Sequence, residues 1–288
     1  MGIYDTHIHL ESGSFSAERL QDRLRAAGVS GGVILSQPPE EAVIPGGAPY
    51  PERLRNVLAL TKDSPSLFPA LWLHPLEKDA CKKAEEAAGA GIRAFKIICD
   101  RFYPDDPACM ELLHAIAALG RPVIFHSGIL WDGGVSSRYN RPLGFEALIG
   151  VPSLRFSLAH CGWPWHDECI ALYGKFLNAA LQNPDCTAEM FLDLTPGTPR
   201  IYRRELMEKL FGVGYDTGHN ILFGSDCSVE DYNVDWVRTW KALDDSLYEQ
   251  LGVPEQIRAC IYRDNLMRFL GLPGYAHRHA YPVSGLTL

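Results

Sequence analysis

Short, nearly unbroken apolar runs alternate along this chain with longer segments in which apolar residues return every three or four positions. Runs of the first kind suit strands buried on both faces, and segments of the second kind suit amphipathic helices laid over them. The runs predict strands at 3–9, 32–36, 67–74, 92–99, 122–126, 154–160, 188–194 and 221–226. The spaced segments predict helices at 16–28, 51–63, 78–90, 107–119, 167–181, 202–210, 234–251 and 254–270, with a further short helix near Glu146. Punctuation agrees with the pattern. Gly28 and Gly120 stand where helices stop, and Pro51 and Pro107 where helices start.

Strict alternation of strand and helix requires parallel strands joined by right-handed crossovers. Eight such units in 288 residues predict a single-domain α/β fold, a (β/α)8 TIM barrel spanning 1–272. A doubly wound open sheet is the competing arrangement. It needs a glycine-rich phosphate-binding turn after the first strand, and Leu10-Glu11-Ser12-Gly13 is not one. The remaining segment, 273–288, lacks helical pattern and is suited to covering a barrel mouth or a subunit contact.

The composition narrows the partners. An apolar share of 47% indicates a globular chain, and a net charge of -8 without a basic cluster argues against nucleic acid and anionic membranes. No apolar run is long enough to span a bilayer. A small-molecule substrate is therefore expected; a homo-oligomer is compatible with the chain, although no residue specifies one. Eight cysteines without a Cys-x-x-Cys pair, in a chain that opens directly on a strand, predict reduced thiols and a cytoplasmic setting.

In a barrel of this kind the active site forms at the carboxyl ends of the strands, so the residues that terminate the apolar runs carry the information. In order these are His7 and His9, then Ser36, His74, Lys96, His126, His160, Thr195 and Asp226. Residues two apart on a strand share a face, so His7 and His9 can reach one ion while its far side stays open. Ten histidines scattered at random would not end four of eight strands. That regularity predicts a metal site.

Taken together, His-x-His on strand one, PVIFHSG on strand five, LAHCG on strand six and FGSDC on strand eight resemble the amidohydrolase superfamily. FKIICDRFYPDDP and the closing RDNLMRFLGL resemble, within it, the amidohydrolase 2 family, which includes aminocarboxymuconate semialdehyde decarboxylase and resorcylate decarboxylases. The resemblance runs from Asp5 to Leu272. It implies that His7, His9, His126 and Asp226 are metal ligands, and that His160 is a proton-transfer residue or an additional ligand. The donor chemistry agrees: imidazoles with one carboxylate suit a single divalent ion, zinc first, with manganese or iron also accommodated. Asp226 would accept a proton from the attacking water, and His160 would stabilise an oxyanion or donate to the leaving group.

Lys96 has three readings: a carboxylated bridge to a second ion, a contact to an anionic substrate, or a structural ion pair. The substrate contact is preferred. Selectivity should come from the loops, above all the one after strand five. There Arg138 and Arg141 could meet a carboxylate, and Trp131 an apolar body. His74, before Pro75, reads as a hydrogen-bonded turn residue. Three functions fit this scaffold: metal-dependent hydrolysis of an amide, lactone or ester; metal-dependent decarboxylation of an aromatic or unsaturated acid; and non-catalytic ligand binding. The filled ligand positions argue against the third, and hydrolysis is the expected activity.

Overall fold

The computed structural model describes residues 2–197 and 199–275; most of the tail expected at 273–288 lies outside the described residues. Nine parallel strands form one curled sheet: β1 (Tyr4–His9), β2 (Gly31–Leu35), β3 (Leu67–Trp72), β4 (Ala94–Ile97), β5 (Val123–Phe125), β6 (Arg155–Leu158), β7 (Glu189–Asp193), β8 (Ile221–Leu222) and β9 (Cys227–Ser228). Strands β1 to β8 pair in sequence order, and β9 pairs with β1.

The expected eighth strand is thus divided in two. β8 pairs with β7, and Leu194 N–H donates to Leu222 O at 2.9 Å. On the other side Thr6 N–H donates to Phe223 O at 2.9 Å and Asp226 N–H to His7 O at 3.0 Å before β9 takes up β1. The break closes the sheet into a barrel, and it occurs where Asp226 adopts φ +62°. A left-handed non-glycine residue cannot continue a strand.

Helices α1 (Ala17–Ala27), α2 (Tyr50–Thr61), α3 (Ala80–Ala90), α4 (Pro107–Ala118), α5 (His166–Gln182), α6 (Arg203–Gly212) and α7 (Val234–Gln250) cover the strands. α1 shows why they form. Ser16 Oγ accepts the Arg19 N–H as an N-cap, Gly28 ends the helix at φ +77°, and Leu20, Leu24 and Ala27 make the buried stripe. Each leucine so buried contributes about 2 kcal/mol. The final helical segment is α8 (Glu255–Ala259), a π-helical turn (Cys260–Asp264) and α9 (Asn265–Phe269).

Alternation along the strands sorts side chains between two cores. Ile34, Leu71 and Phe95 face the helices, whereas Val33, Leu35, Phe68, Ala70, Ala94, Ile124 and Phe191 face the barrel interior, plugged by Leu266, Met267, Phe269 and Leu270 from α9. Counting two residues onward from Ala70, Ala94, Ile124 and Phe191 reaches Trp72, Lys96, His126 and Asp193. The same interior face that is apolar at the base becomes polar at the carboxyl ends.

Candidate metal centre and active site

A cavity of about 560 Å³ opens at those carboxyl ends. Its floor carries His7, His9, Lys96, His126, His160 and Asp226, six residues drawn from five different strands or the turns after them. Ligand atoms of His7, His9 and Asp226 all lie within 4.8 Å of one another. Asp226 Oδ1 is 3.2 Å from His9 Nε2 and 3.7 Å from His7 Nε2.

Hydrogen bonds fix which imidazole nitrogen is free. His7 Nδ1–H donates to Asp193 Oδ2 at 3.2 Å, leaving Nε2 with its lone pair toward the cluster. His160 Nδ1–H donates to Thr195 O at 3.1 Å, which leaves Nε2 for chemistry. His126 Nε2–H donates to Ile129 O at 3.1 Å, leaving Nδ1 unprotonated. The rings meet one another, His7 with His9 at 5.0 Å and His160 with His126 at 5.1 Å between centroids. His126 is not one of the three residues whose ligand atoms lie within 4.8 Å of one another, but it lines the same cavity beside His160.

The electrostatics suit a cation. Burial, and then the Lys96 ammonium, lower the His7 pKa to about 4 against the pull of Asp193. Burial, then His160 and Lys96, hold His126 well below the ordinary imidazole value. Both are neutral at pH 7, as a ligand must be. Burial alone would raise Asp226, yet the His9 hydrogen bond and the neighbouring imidazoles of His160, His7 and His9 hold it well below the carboxylate range. Two imidazole nitrogens and one carboxylate oxygen, all within mutual reach, fit a divalent ion.

Lys96 is only 1% exposed, and its Nζ donates to His7 Nε2 at 3.4 Å. Burial brings its pKa down to about 8, partly offset by Asp226 and Asp193. Trp131 lines the cavity. The two arginines do not line it. Arg141 is held by both carboxylate oxygens of Glu168 and lies over Trp165, while Arg138 donates to Tyr139 Oη and stacks on that ring. Each has a partner outside the cavity lining, Arg141 in the first turn of α5 and Arg138 in the neighbouring Tyr139, so neither is turned to the substrate space. His74 is a turn residue: Nδ1 accepts the Leu76 N–H and Nε2–H donates to Asp100.

Two elements of the site were not anticipated from the sequence. Asp193, rather than Thr195, is the polar residue ending β7; Thr195 instead donates its N–H and Oγ–H to Asp193 Oδ1. A carboxylate at the end of the apolar run Met190-Phe191-Leu192 was the available signal. The second is Asp5, fully buried, which accepts from His7 N at 3.0 Å, Ser225 N at 2.9 Å and Tyr232 Oη at 2.8 Å. It ties the backbone of the first histidine to the residue preceding Asp226. Burial raises its pKa to about 6, against the opposing hydrogen bonds.

Glycine makes two close approaches possible. A Cβ on Gly197 would fall 2.4 Å from His160 Nδ1, and one on Gly224 would fall 2.2 Å from Thr195 Oγ1 and 3.1 Å from His7 Cβ. His160 and Cys161 join Asp226 in the left-handed region, with φ of +60° and +44°. Non-glycine residues held there cost about 1–3 kcal/mol each and cluster at functional sites.

The amidohydrolase family model matches residues 4–272. The chain belongs to the amidohydrolase family. It is an enzyme of a metal-dependent hydrolase family. Solved structures with the same fold include enamidase, a member of the amidohydrolase superfamily (13% identity, 94% of this chain, 67% of that one, TM-score 0.65). A 2,6-dihydroxybenzoate decarboxylase complexed with 2,6-dihydroxybenzoate is similar at 15% identity, covering 94% and 98% of the two chains, TM-score 0.60. Dihydroorotase from Campylobacter jejuni is similar at 14% identity over 94% and 83%, TM-score 0.59. At such identities the likeness is one of fold, and it embraces hydrolases and a decarboxylase alike. No curated protein matches the sequence. Among the described residues no helix is long and apolar enough to cross a membrane.

Proposed function

We propose that this amidohydrolase hydrolyses an amide, lactone or ester of a small, carboxylate-bearing molecule, using one divalent ion, zinc by the character of its donors. The observation that carries the reading is the convergence of His7, His9 and Asp226 within 4.8 Å at the strand ends, beside His160. His126, through Nδ1, completes the ligand set. When bound, the ion supplies Lewis acidity toward a carbonyl oxygen and makes a coordinated water more acidic.

The chain's own residues do the rest. Asp193 holds the His7 ring in the tautomer that frees Nε2. Asp226, ionised at neutral pH, takes a proton from the attacking water as its oxygen bonds to the carbonyl carbon. The proton passes from Asp226 to His160 Nε2, and His160, its Nδ1–H held by Thr195 O, delivers it to the departing nitrogen or oxygen as the scissile bond breaks. Lys96 binds the substrate's anionic group from the cavity floor. We read residues 1–272 as one catalytic domain. Eight free cysteines support a reducing, cytoplasmic setting.

The test is product analysis on metal-loaded protein offered a panel of amides, lactones, esters and unsaturated carboxylic acids. Release of ammonia, amine or acid is expected, and Asp226→Asn should abolish it while some metal stays bound. Carbon dioxide release without hydrolysis of any panel member would replace this reading with decarboxylation.

A further inference from the structure

Two apolar groups line the cavity besides its polar residues. Trp72, Ile98 and Leu130, with Ile44 packed against them, form an apolar cluster separate from both barrel cores, and all four residues line the cavity. Next to Leu130 in the chain, Trp131 stacks on Trp163, ring centroids 6.2 Å apart and planes 20° apart, and Trp163 meets Tyr202 at 5.8 Å. Trp131 is 76% exposed. A tryptophan left so open at the mouth of a cavity, at the end of a continuous run of rings, is surface waiting for an apolar occupant. A third ring between Trp131 and Trp163 would need about 7 Å, two van der Waals gaps, so the pair acts as one flat wall.

The charges limit the other end of the occupant. Among the described lining residues Lys96 is the single lysine or arginine, while Glu11 and Asp226 are acidic. The arginines nearest in sequence are engaged by Glu168 and Tyr139. A compact acid with two or three carboxylates would leave its outer charge against apolar wall without a counter-ion.

Building on the hydrolase reading, we propose that the substrate joins one polar or singly anionic head, directed to the floor, to a flat apolar body of aryl or fused-ring type. That body packs on the Trp131–Trp163 pair and on the apolar cluster of Trp72, Ile98, Leu130 and Ile44 that lines the same cavity. Trp131 is the specificity-determining residue, and small polyanionic acids are discriminated against.

Isothermal titration calorimetry of the metal-loaded enzyme with 2-naphthoate, isophthalate and acetate tests this without requiring turnover. The expected result is that 2-naphthoate binds at least tenfold more tightly than isophthalate or acetate. Trp131→Ala should weaken 2-naphthoate about tenfold and leave acetate within twofold. Because Trp131 is exposed, the variant should keep the wild-type circular dichroism and metal content. Isophthalate binding as tightly as 2-naphthoate, an unchanged 2-naphthoate affinity in Trp131→Ala, or no binding of 2-naphthoate at millimolar concentration would overturn the proposal. Ring-dependent binding in a protein that hydrolyses nothing would leave this inference standing and remove the hydrolase reading on which it was built.

Discussion

At the scale of single residues, the site is governed by what each polar atom is tied to. Asp193 fixes the tautomer of His7, and such carboxylate partners raise ligand basicity and orient the ring. Asp193→Asn should therefore weaken metal affinity about 10–100-fold, measured by competition with a chromogenic chelator, while leaving the chain folded. An unchanged affinity would make the Asp193 contact incidental. Lys96 is separated from Arg141 by the same reasoning. Lys96→Met should raise KM for an anionic substrate with the metal content unchanged, whereas Arg141→Ala, already paired with Glu168, should leave KM within about twofold. A fall in metal content in Lys96→Met would instead favour the carboxylated bridge.

At the scale of elements, the sequence made the strands and helices legible because burial on both faces leaves continuous apolar runs and the helices carry their own stops. Gly28 does stop α1, and Pro107 does open α4. The division of the last strand into β8 and β9 was not legible: Phe223-Gly224-Ser225-Asp226 reads as a continuous strand, and the break depends on contacts with Thr6 and His7 far away in sequence. Histidines at strand ends were visible as a pattern, whereas Arg138 and Arg141 were only residues of suitable chemistry in a long loop, with partners that sequence does not reveal. Gly224 carries the seam. Gly224→Ala would push its methyl into Thr195 and against His7, and a loss of about 1–3 kcal/mol in urea denaturation is expected. Wild-type stability in that variant would show that the seam relaxes freely.

At the scale of the whole molecule, the apolar base of the barrel and its polar rim are one set of inward-facing positions divided by height. The plug from α9 makes the base rigid, and the rim collects groups whose burial would be costly without partners or an ion. The family resemblance read from six short motifs and the match over 4–272 describe this same arrangement. The central claim is that the rim holds one catalytic metal ion, and inductively coupled plasma mass spectrometry of the purified protein tests it most directly. The account predicts about one divalent ion per chain, with occupancy lost in His7→Ala and in His126→Ala. A content near zero that added zinc or manganese cannot raise, or full occupancy in both variants, would contradict it.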